Sequence, residues 1–323
     1  MRYAKHEAKE WMREHAKGFV DTVATAFDPD LLIDEEGIRS DVRYLVGELG
    51  LLGVCSTGYN GERSSLSTQE TIRVNAIAID ECKKVNPDSL AMPCAYHYNI
   101  HECLEVIHAA EEAGADGILL GTMFFESYSP RAMVDYFTAV ANGCEIGLFL
   151  MDYPQILPVA ALKELAKLPN VVGTKQVHNV FEAMEACAQE ILVSPALEPD
   201  LLPSMMLHGA QFVPMVTPGH WFQAPHKKLL SGYHAAALEG DYAGALELWH
   251  ELAPMRALYE ECWIKPVVAE HIHPAGILKY WESLLGMNGG PVRPPLLDCP
   301  DHLKVKIREG LEAFGLIGAG VPA

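Results

Sequence analysis

Eight short apolar runs, separated by stretches with helical periodicity, constrain the fold of this chain more than any other feature. Apolar runs of this length are typical of strands buried on both faces of a parallel sheet. Between them, apolar residues recur three or four positions apart, as Ile38, Val42 and Leu45 do. The predicted strands are Phe19–Ala26, Leu52–Thr57, Ser89–Pro93, Gly117–Gly121, Ile146–Met151, Val171–Lys175, Ile191–Ser194 and Phe212–Met215.

Alternation of strands and helices predicts an α/β fold, and eight such units predict a (β/α)8 TIM barrel. A doubly wound sheet is the alternative arrangement. The dinucleotide-binding form of that sheet carries a G-x-G-x-x-G motif after its first strand, and no such motif follows Phe19–Ala26. The barrel is therefore the preferred prediction.

The chain divides into three predicted segments. Residues 1–17 are densely charged and predict a short helix anchored by Tyr3 and Trp11, residues 18–240 form the barrel, and residues 241–323 form a C-terminal helical extension. Inside the barrel, the capping box Ser67-Thr68-Gln69-Glu70 predicts where the second helix begins. A C-terminal helical extension such as residues 241–323 usually packs on the barrel or builds an oligomer interface. Its predicted helices are Tyr242–Cys262, Pro274–Leu285 and Asp301–Phe314.

Composition argues against several classes of partner. The 323 residues are 50% hydrophobic, which supplies a large core, and the net charge is −19. A chain this acidic is not expected to bind nucleic acid or an anionic membrane surface. We find no apolar run of membrane-spanning length, and because residues 1–17 lack an apolar segment we expect no signal peptide. The eight cysteines are scattered without a C-x-x-C pair, so we expect reduced thiols in a cytoplasmic protein.

A lysine ends the sixth apolar run, Val171-Val172-Gly173-Thr174-Lys175. Val171, Gly173 and Lys175 share one phase of the two-residue strand period, so we expect them to point the same way. Active sites of such barrels lie at the carboxyl ends of the strands, where Lys175 is expected. Burial there disfavours the ammonium form, and the free amine can attack a ketone to form a Schiff base. The alternative is a solvated lysine that merely ends the strand.

A glycine turn, Gly58-Tyr59-Asn60-Gly61-Glu62, follows the second predicted strand. Two glycines three residues apart let the backbone turn sharply and present N–H groups to an anion such as a carboxylate. The alternative is an ordinary turn without a ligand.

These features, taken in order along the chain, resemble the dihydrodipicolinate synthase / N-acetylneuraminate lyase family of class I aldolases and lyases. The resemblance implies that Lys175 forms a Schiff base with pyruvate or a similar 2-oxo acid and that the glycine turn holds its carboxylate. We expect no cofactor, and a homo-oligomer, a tetramer or a dimer, because the family commonly forms tetramers. The motifs that carry the resemblance are Gly58-x-x-Gly61-Glu62 with Leu66, Gly114-Ala115-Asp116-Gly117, Leu168–Lys175 and Gly290–Leu296.

The chain departs from the family pattern at its proton relay. A family tyrosine on the fifth strand stands three residues before a proline, and here Met151 takes that place in Met151-Asp152-Tyr153-Pro154. The second relay tyrosine of the family aligns with Phe125. Neither methionine nor phenylalanine moves a proton, so the usual relay is absent or rebuilt.

Two other tyrosines are candidates for the missing phenols. Tyr59 stands where the family has the hydroxyl residue that opens the glycine turn. Tyr153 lies two residues past Met151, in the same strand phase and about 7 Å further along. We name Tyr59 and Tyr153, with Lys175, as catalytic candidates; the alternative is that both phenols only line the barrel mouth. His178, three residues past Lys175, is a further acid–base candidate or simply exposed.

Substrate preference is inferred from positions at which this chain differs from members of the family. Synthases of the lysine pathway carry an arginine where this chain has Ile156, so that activity is not expected. Sialic acid lyases place polar groups after the seventh strand, whereas residues 195–201 are largely apolar. An apolar or aromatic aldehyde is the expected partner, and Leu120–Phe125 resembles the hydratase-aldolases that cleave benzylidenepyruvates. The residues expected to bind substrate are Gly58, Asn60, Gly61, Phe125, Met151 and Val213.

Histidine spacing does not predict a metal site. His97 and His101 could share a helix face, but the zinc-protease pattern needs a glutamate where the chain has Tyr98. His271 and His273 have no evident third ligand.

Two other functions stay open on the sequence. A dehydratase of a 2-keto-3-deoxy sugar acid would use the same lysine imine and release water. A non-catalytic homologue would keep the barrel as a ligand-binding scaffold. In either enzymatic interpretation the partner is a small 2-oxo acid.

Overall fold

A computed structural model describes residues 2–97, 99–121, 128–153, 155–214 and 218–318. Short parallel strands form its centre, and each predicted apolar run contributes to one of them. The strands are β1 Gly18–Thr22, β2 Gly53–Cys55, β3 Leu90–Ala91, β4 Cys94–Ala95, β5 Ile118–Gly121, β6 Leu148–Met151, β7 Val171–Gln176, β8 Leu192–Pro195 and β9 Phe212–Pro214.

Within two groups, strands that follow one another in the chain pair side by side, and the last strand pairs with the first. Hydrogen bonds order them as β3-β2-β1-β9 and as β4-β5-β6-β7-β8. The third predicted run, Ser89–Pro93, supplies β3, and β4 follows directly. The interruption contains Pro93, which has no N–H to donate to a neighbouring strand. This arrangement confirms the predicted (β/α)8 barrel.

Helices follow the strands and cover them. The capping box is present at the second barrel helix: Ser67 Oγ accepts the Glu70 N–H at 3.2 Å, and the Glu70 carboxylate accepts the Ser67 N–H at 3.0 Å. The helices are α1 Ala8–His15, α2 Glu35–Val42, α3 Thr68–Val85, α4 Ile100–Ala113, α5 Pro130–Gly143, α6 Val159–Leu165, α7 Val180–Cys187, α8 Leu201–His208, α9 Leu229–Leu238, α10 Tyr242–Glu251, α11 Ala253–Tyr259, α12 Lys265–Ala269, α13 Ala275–Leu284 and α14 Asp301–Phe314.

Two apolar layers hold the barrel together. The inner layer fills the barrel with side chains such as Val20, Phe149 and Phe212, and the outer layer packs the strands against the helices. Helix α1 joins the inner layer through Met12, which is fully buried. The predicted anchor Tyr3 is also buried, and its hydroxyl accepts the Gly147 N–H at 2.9 Å.

The C-terminal helices pack against the barrel around a buried aromatic cluster. The indole rings of Trp221 and Trp281 stack with centroids 4.3 Å apart, and Trp263 meets Trp221 edge-on at 4.6 Å. The predicted helix Tyr242–Cys262 is interrupted at Leu252, just before Pro254, which lies in the first turn of α11. Proline suits the first turn of a helix and disrupts a helix interior.

All eight cysteines are buried free thiols. Across the described ranges, none of the helices is both long and apolar enough to cross a bilayer.

Candidate active site

Lys175 lies at the carboxyl end of β7, between Met151 of β6 and Ser194 of β8, with which it pairs. Its side chain is buried, with 4% of its surface exposed, and it lines a cavity inside the barrel. Gly173 faces the same interior, because a Cβ there would lie 2.1 Å from the Phe149 ring. Lys175 is therefore directed into the barrel from the strand end, as active-site residues of this fold are.

The prediction that Val171 faces the same way as Lys175 is wrong. Leu148 pairs with Val171, but the next residue of β6, Phe149, pairs with Gly173. This register shift leaves Val172 as an extra residue, and Val172 packs in the inner layer while Val171 packs in the outer one. A bulge of this kind breaks the two-residue alternation on which the prediction rested.

Burial changes the pKa of the Lys175 amine. It lowers the pKa of Lys175 to about 8, and the neighbouring Cys55, Cys94, Asp21 and Asp152 oppose the shift. No carboxylate in the described part of the chain lies within ion-pairing distance of Nζ, so the ammonium is poorly compensated. A useful fraction of the amine is therefore uncharged near neutral pH, as nucleophilic attack on a ketone requires.

The cavity around Lys175 encloses about 430 Å³ of empty space, including its mouth. It brings together six of the residues expected from the sequence, Lys175, Gly58, Tyr59, Asn60, Met151 and Tyr153. Among the residues that the structure describes, five others also line it, Thr22, Cys55, Cys94, Tyr96 and Leu119.

The glycine turn obtains its shape differently from the expectation. The left-handed residues are Thr57, with φ 53°, and Glu62, with φ 57°, and neither glycine has a positive φ. The glycines instead permit close approach, since a Cβ on Gly58 would lie 3.1 Å from Cys94 Sγ and one on Gly61 3.1 Å from the Thr57 nitrogen. A hydrogen bond holds Thr57 in this strained backbone conformation, because its hydroxyl donates to Asn75 Oδ1 at 2.8 Å.

Buried charges hold the far end of this turn. The Glu62 carboxylate lies 2.5 Å from Lys279 Nζ of α13 and accepts the Arg293 N–H at 3.1 Å. Glu62 and Lys279 are both almost completely buried. The C-terminal extension therefore fixes the turn that lines the cavity.

Tyr59 and Tyr153 face each other at the cavity, with ring centroids 6.1 Å apart. Burial raises the pKa of Tyr59 to about 12 and also raises the pKa of Tyr153. Both phenols are therefore protonated near neutral pH. His273, which the sequence offered only as a weak metal ligand, contacts Tyr59 edge-on at 4.6 Å.

Three expected substrate contacts do not line the cavity or fall outside the described residues. Gly61 closes the turn, because its N–H donates to the Gly58 carbonyl at 3.1 Å. Val213 packs in the outer layer, since Phe212 occupies the inward position of β9. Phe125 lies outside the described residues.

The lining residues that sequence reasoning missed occupy inward positions at or next to strand ends. Cys55 ends β2, Cys94 begins β4, and Tyr96 directly follows β4. The two-residue strand period points to Cys55 when it is applied to every apolar run, and not only to the run that ends at Lys175.

His178 is held beside Asp152, which directly follows Met151. The Asp152 carboxylate accepts the N–H groups of Val177 at 2.6 Å and His178 at 3.0 Å, and lies 3.3 Å from His178 Nδ1. Burial raises the pKa of Asp152. This pair connects β6 to the segment after Lys175 but does not line the cavity.

Two of the four histidines considered as metal ligands have protein partners. His97 Nδ1 lies 2.8 Å from the Glu102 carboxylate, and His273 Nδ1 accepts the Ala275 N–H at 3.3 Å. No cluster of three or more potential metal ligands occurs among the residues that the structure describes.

Comparison with known proteins agrees with this geometry. A family model described as the dihydrodipicolinate synthetase family matches residues 15–314. The 4-hydroxy-tetrahydrodipicolinate synthase of Methanosarcina acetivorans is 30% identical over 311 residues, which cover 93% of this chain and 99% of the relative. That of Methanopyrus kandleri is 29% identical over 316 residues, covering 94% and 98%.

Solved structures share the fold at lower identity. A prophage protein of the dihydrodipicolinic acid synthase family from E. coli K12, in complex with pyruvate, has a TM-score of 0.79 at 21% identity and covers 93% of this chain and 99% of its own. N-acetylneuraminate lyase from Fusobacterium nucleatum has a TM-score of 0.78 at 18% identity, with 93% and 99% covered. The chain belongs to the dihydrodipicolinate synthetase family, a family of class I, Schiff-base-forming, pyruvate-dependent aldolases and lyases.

Proposed function

We propose that this chain is a class I lyase or aldolase that makes or breaks a carbon–carbon bond next to pyruvate or a related 2-oxo acid. The observation that carries the proposal is Lys175: a buried amine with a pKa of about 8 at the strand ends, facing a cavity. Pyruvate is bound in two of the solved structures that share this fold, and we propose the same class of ligand for this chain.

The chemistry begins with the uncharged Lys175 amine attacking the keto carbon. Loss of water leaves an imine, which takes up electrons when the neighbouring carbon–carbon bond breaks. The products are an aldehyde and an enamine of pyruvate, and protonation of the enamine followed by hydrolysis returns pyruvate and the free lysine. An unsaturated 2-oxo acid would first add water across its double bond.

The partner aldehyde is proposed to be apolar or aromatic. Leu119, Met151 and the rings of Tyr59 and Tyr153 contribute much of the cavity lining. Ile156, at the position of the arginine in the lysine-pathway synthases, carries no charge for a second carboxylate, and 47% of its surface is exposed. Synthase activity like that named for the curated relatives is therefore not proposed for this chain.

The remaining cavity residues have proposed roles around the imine. Gly58 and Asn60, which line the cavity, are proposed to bind the substrate carboxylate through the glycine turn. The phenols of Tyr59 and Tyr153 are proposed to exchange protons with the aldehyde oxygen at the outer part of the cavity, because both stay protonated near neutral pH.

A substrate panel tests the proposal. The protein is incubated with borohydride and either aryl-substituted 2-oxo acids or polyhydroxy sugar acids, and the products without borohydride are identified. We expect adducts on Lys175 and release of aryl aldehyde plus pyruvate. Turnover of polyhydroxy acids alone contradicts the aromatic partner, and a dehydrated keto acid as product identifies the dehydratase alternative. Absence of any adduct identifies a non-catalytic binding homologue.

The assembly is proposed to be a homodimer or homotetramer. Each chain has C-terminal helices in addition to the eight strand–helix units of the barrel, and such additional helices commonly form subunit interfaces. Sedimentation equilibrium distinguishes these states from a monomer, which contradicts the proposal.

A further inference from the structure

Tyr96 occupies the same level of the barrel as the nucleophile. It directly follows β4, whose last residue pairs with Leu120 of β5. The next residue of β5, Gly121, pairs with Met151 of β6, and Met151 pairs with Lys175 of β7. The four residues from Tyr96 to Lys175 therefore form one row across neighbouring strands.

The missing side chain at Gly121 lets the Tyr96 ring cross β5. A Cβ on Gly121 would lie 2.1 Å from Cε1 of Tyr96 and 3.1 Å from Cζ, so the ring lies directly over this glycine. Strands are about 4.8 Å apart, and a tyrosine side chain is long enough to pass one of them. The Tyr96 hydroxyl accordingly donates to Met151 Sδ at 3.7 Å.

This contact places a phenol where the family pattern lacks one. Met151 stands at the family's relay tyrosine, and the Tyr96 hydroxyl meets the end of the Met151 side chain inside the cavity that Lys175 lines. A thioether is a weak hydrogen-bond acceptor, so a substrate oxygen competes with it easily.

The surroundings hold Tyr96 in position. Arg63, which directly follows the glycine turn, donates to the Tyr96 carbonyl at 3.1 Å. The Cys94 and Cys55 thiols lie near the Tyr96 hydroxyl and raise its pKa. The chain of polar groups continues to Thr22, whose hydroxyl lies 3.5 Å from Cys55 Sγ.

We propose that Tyr96 is the proton-transferring phenol of Schiff-base formation on Lys175, delivered from β4 across Gly121 in place of the phenol missing at Met151. This inference rests on the proposed function. The attack of the amine gives a carbinolamine, and the Tyr96 hydroxyl gives its proton to the departing oxygen as the carbon–oxygen bond breaks. Water, an iminium ion and a phenolate result, and the phenolate regains a proton from the carbon next to the iminium, which leaves the enamine.

The protonation state of Tyr96 agrees with this role. Tyr96 is 6% exposed, and burial together with the neighbouring thiols raises the pKa of its hydroxyl well above the ordinary value. The phenol is therefore an acid in the resting protein. The phenolate exists only beside the positive iminium ion, whose charge stabilises it.

The test compares three purified proteins for the rate of reductive trapping with pyruvate: the natural chain, Tyr96→Phe, and Tyr44→Phe as a matched control. Tyr44 is a buried tyrosine of the outer layer, so its variant also loses one buried hydroxyl. We expect Tyr96→Phe to slow trapping by about 100-fold or more, as loss of a general acid does, while Tyr44→Phe keeps the natural rate.

A rescue experiment separates proton transfer from packing. Tyr96→Ala is expected to be as slow as Tyr96→Phe, and adding Met151→Tyr to it is expected to restore at least about a tenth of the trapping rate by returning a phenol from β6. If the natural chain is trapped rapidly and Tyr96→Phe is trapped at the same rate, Tyr96 is not the proton-transferring phenol. That outcome leaves the proposed function unaffected. Absence of trapping in the natural chain overturns both this inference and the proposed function.

Discussion

At the scale of the single residue, burial of Lys175 determines the pH dependence of the chemistry. Its pKa lies at about 8 instead of 10.5 because the ammonium is poorly solvated. The reactive amine fraction falls about tenfold per pH unit below that pKa. We therefore expect the rate of imine formation with pyruvate to rise with pH from 6 and to level off above about 8, as measured by cyanoborohydride trapping.

A rate that keeps rising steeply to pH 10 would contradict this prediction, because it would indicate a solvated lysine. Lys84, an exposed lysine on α3, supplies the comparison: its Lys84→Ala variant is expected to leave the pH profile unchanged.

Gly121 is the second residue with a sharp prediction. Gly121→Ala places a Cβ on the Tyr96 ring, so the ring must move. We expect a loss of about 1–3 kcal/mol in the free energy of unfolding and a marked loss of trapping rate. Gly47→Ala is the control, because its Cβ would make an ordinary 3.4 Å contact with Val85. Equal behaviour of the two variants contradicts the crossing of β5 by Tyr96.

Single residues also show where sequence reasoning stops. Lys175 and the glycine turn can be proposed from the sequence because their spacing along the chain is specific. Tyr96 was not found, because its reach to Met151 depends on the register of three strands and on the bare backbone of Gly121. Val213 was misplaced because one position along a strand separates the two layers.

At the scale of secondary-structure elements, α13 is joined to the glycine turn by the buried pair of Lys279 and Glu62, 2.5 Å apart. Lys279→Ala leaves the Glu62 carboxylate buried without its cation, which costs about 3–5 kcal/mol. We expect that loss in urea unfolding. The double variant Lys279→Met/Glu62→Gln is expected to recover part of it, since it leaves no unpaired charge. A Lys279→Ala variant as stable as the natural chain would show that α13 does not secure the turn.

The boundaries of β7 follow its hydrophobic pattern closely. The run Val171–Lys175 was predicted almost to the residue, and β7 is Val171–Gln176. The bulge at Val172 was not predicted, because it arises from pairing with β6 and leaves no trace in the pattern of either strand alone.

At the scale of the whole molecule, a buried ionic cluster joins the barrel to the C-terminal extension. His220 lies between Asp21 of β1, at 3.1 Å, and Glu282 of α13, at 3.0 Å. Burial alone would lower the pKa of His220, but these carboxylates raise it to about 10. Asp41 of α2 lies near the same group, and burial next to Glu282 raises its pKa to about 8.

This cluster predicts how stability changes with pH. A carboxyl with a raised pKa in the folded state contributes its stability below its unfolded pKa and loses it as pH rises through the folded pKa. Asp41 therefore makes unfolding easier from about pH 4 to about pH 8, by up to about 1.4 kcal/mol per pH unit. His220 acts in the same direction between about pH 6.5 and 10.

The Asp41→Asn variant measures how much of the change of stability with pH is due to the Asp41 carboxyl. Its amide oxygen can still accept the Asn288 N–H, which Asp41 Oδ1 now accepts at 2.7 Å. Urea unfolding between pH 5 and pH 7 is expected to show a smaller decline of stability with pH in the variant than in the natural chain. Parallel curves would contradict the raised pKa of Asp41.

The overall architecture was predictable because eight buried runs in alternation with helices admit few folds. The cluster around His220 was not predictable, because Asp21, Asp41, His220 and Glu282 come from distant parts of the chain and only the closed barrel brings them together.

The central claim is that Lys175 is the imine-forming nucleophile. The most direct measurement is borohydride trapping with pyruvate, followed by peptide mapping by mass spectrometry. We expect one reduced pyruvyl adduct, located on Lys175, absent from Lys175→Ala and unchanged in Lys84→Ala. An adduct on another lysine, or one that persists in Lys175→Ala, would contradict the account.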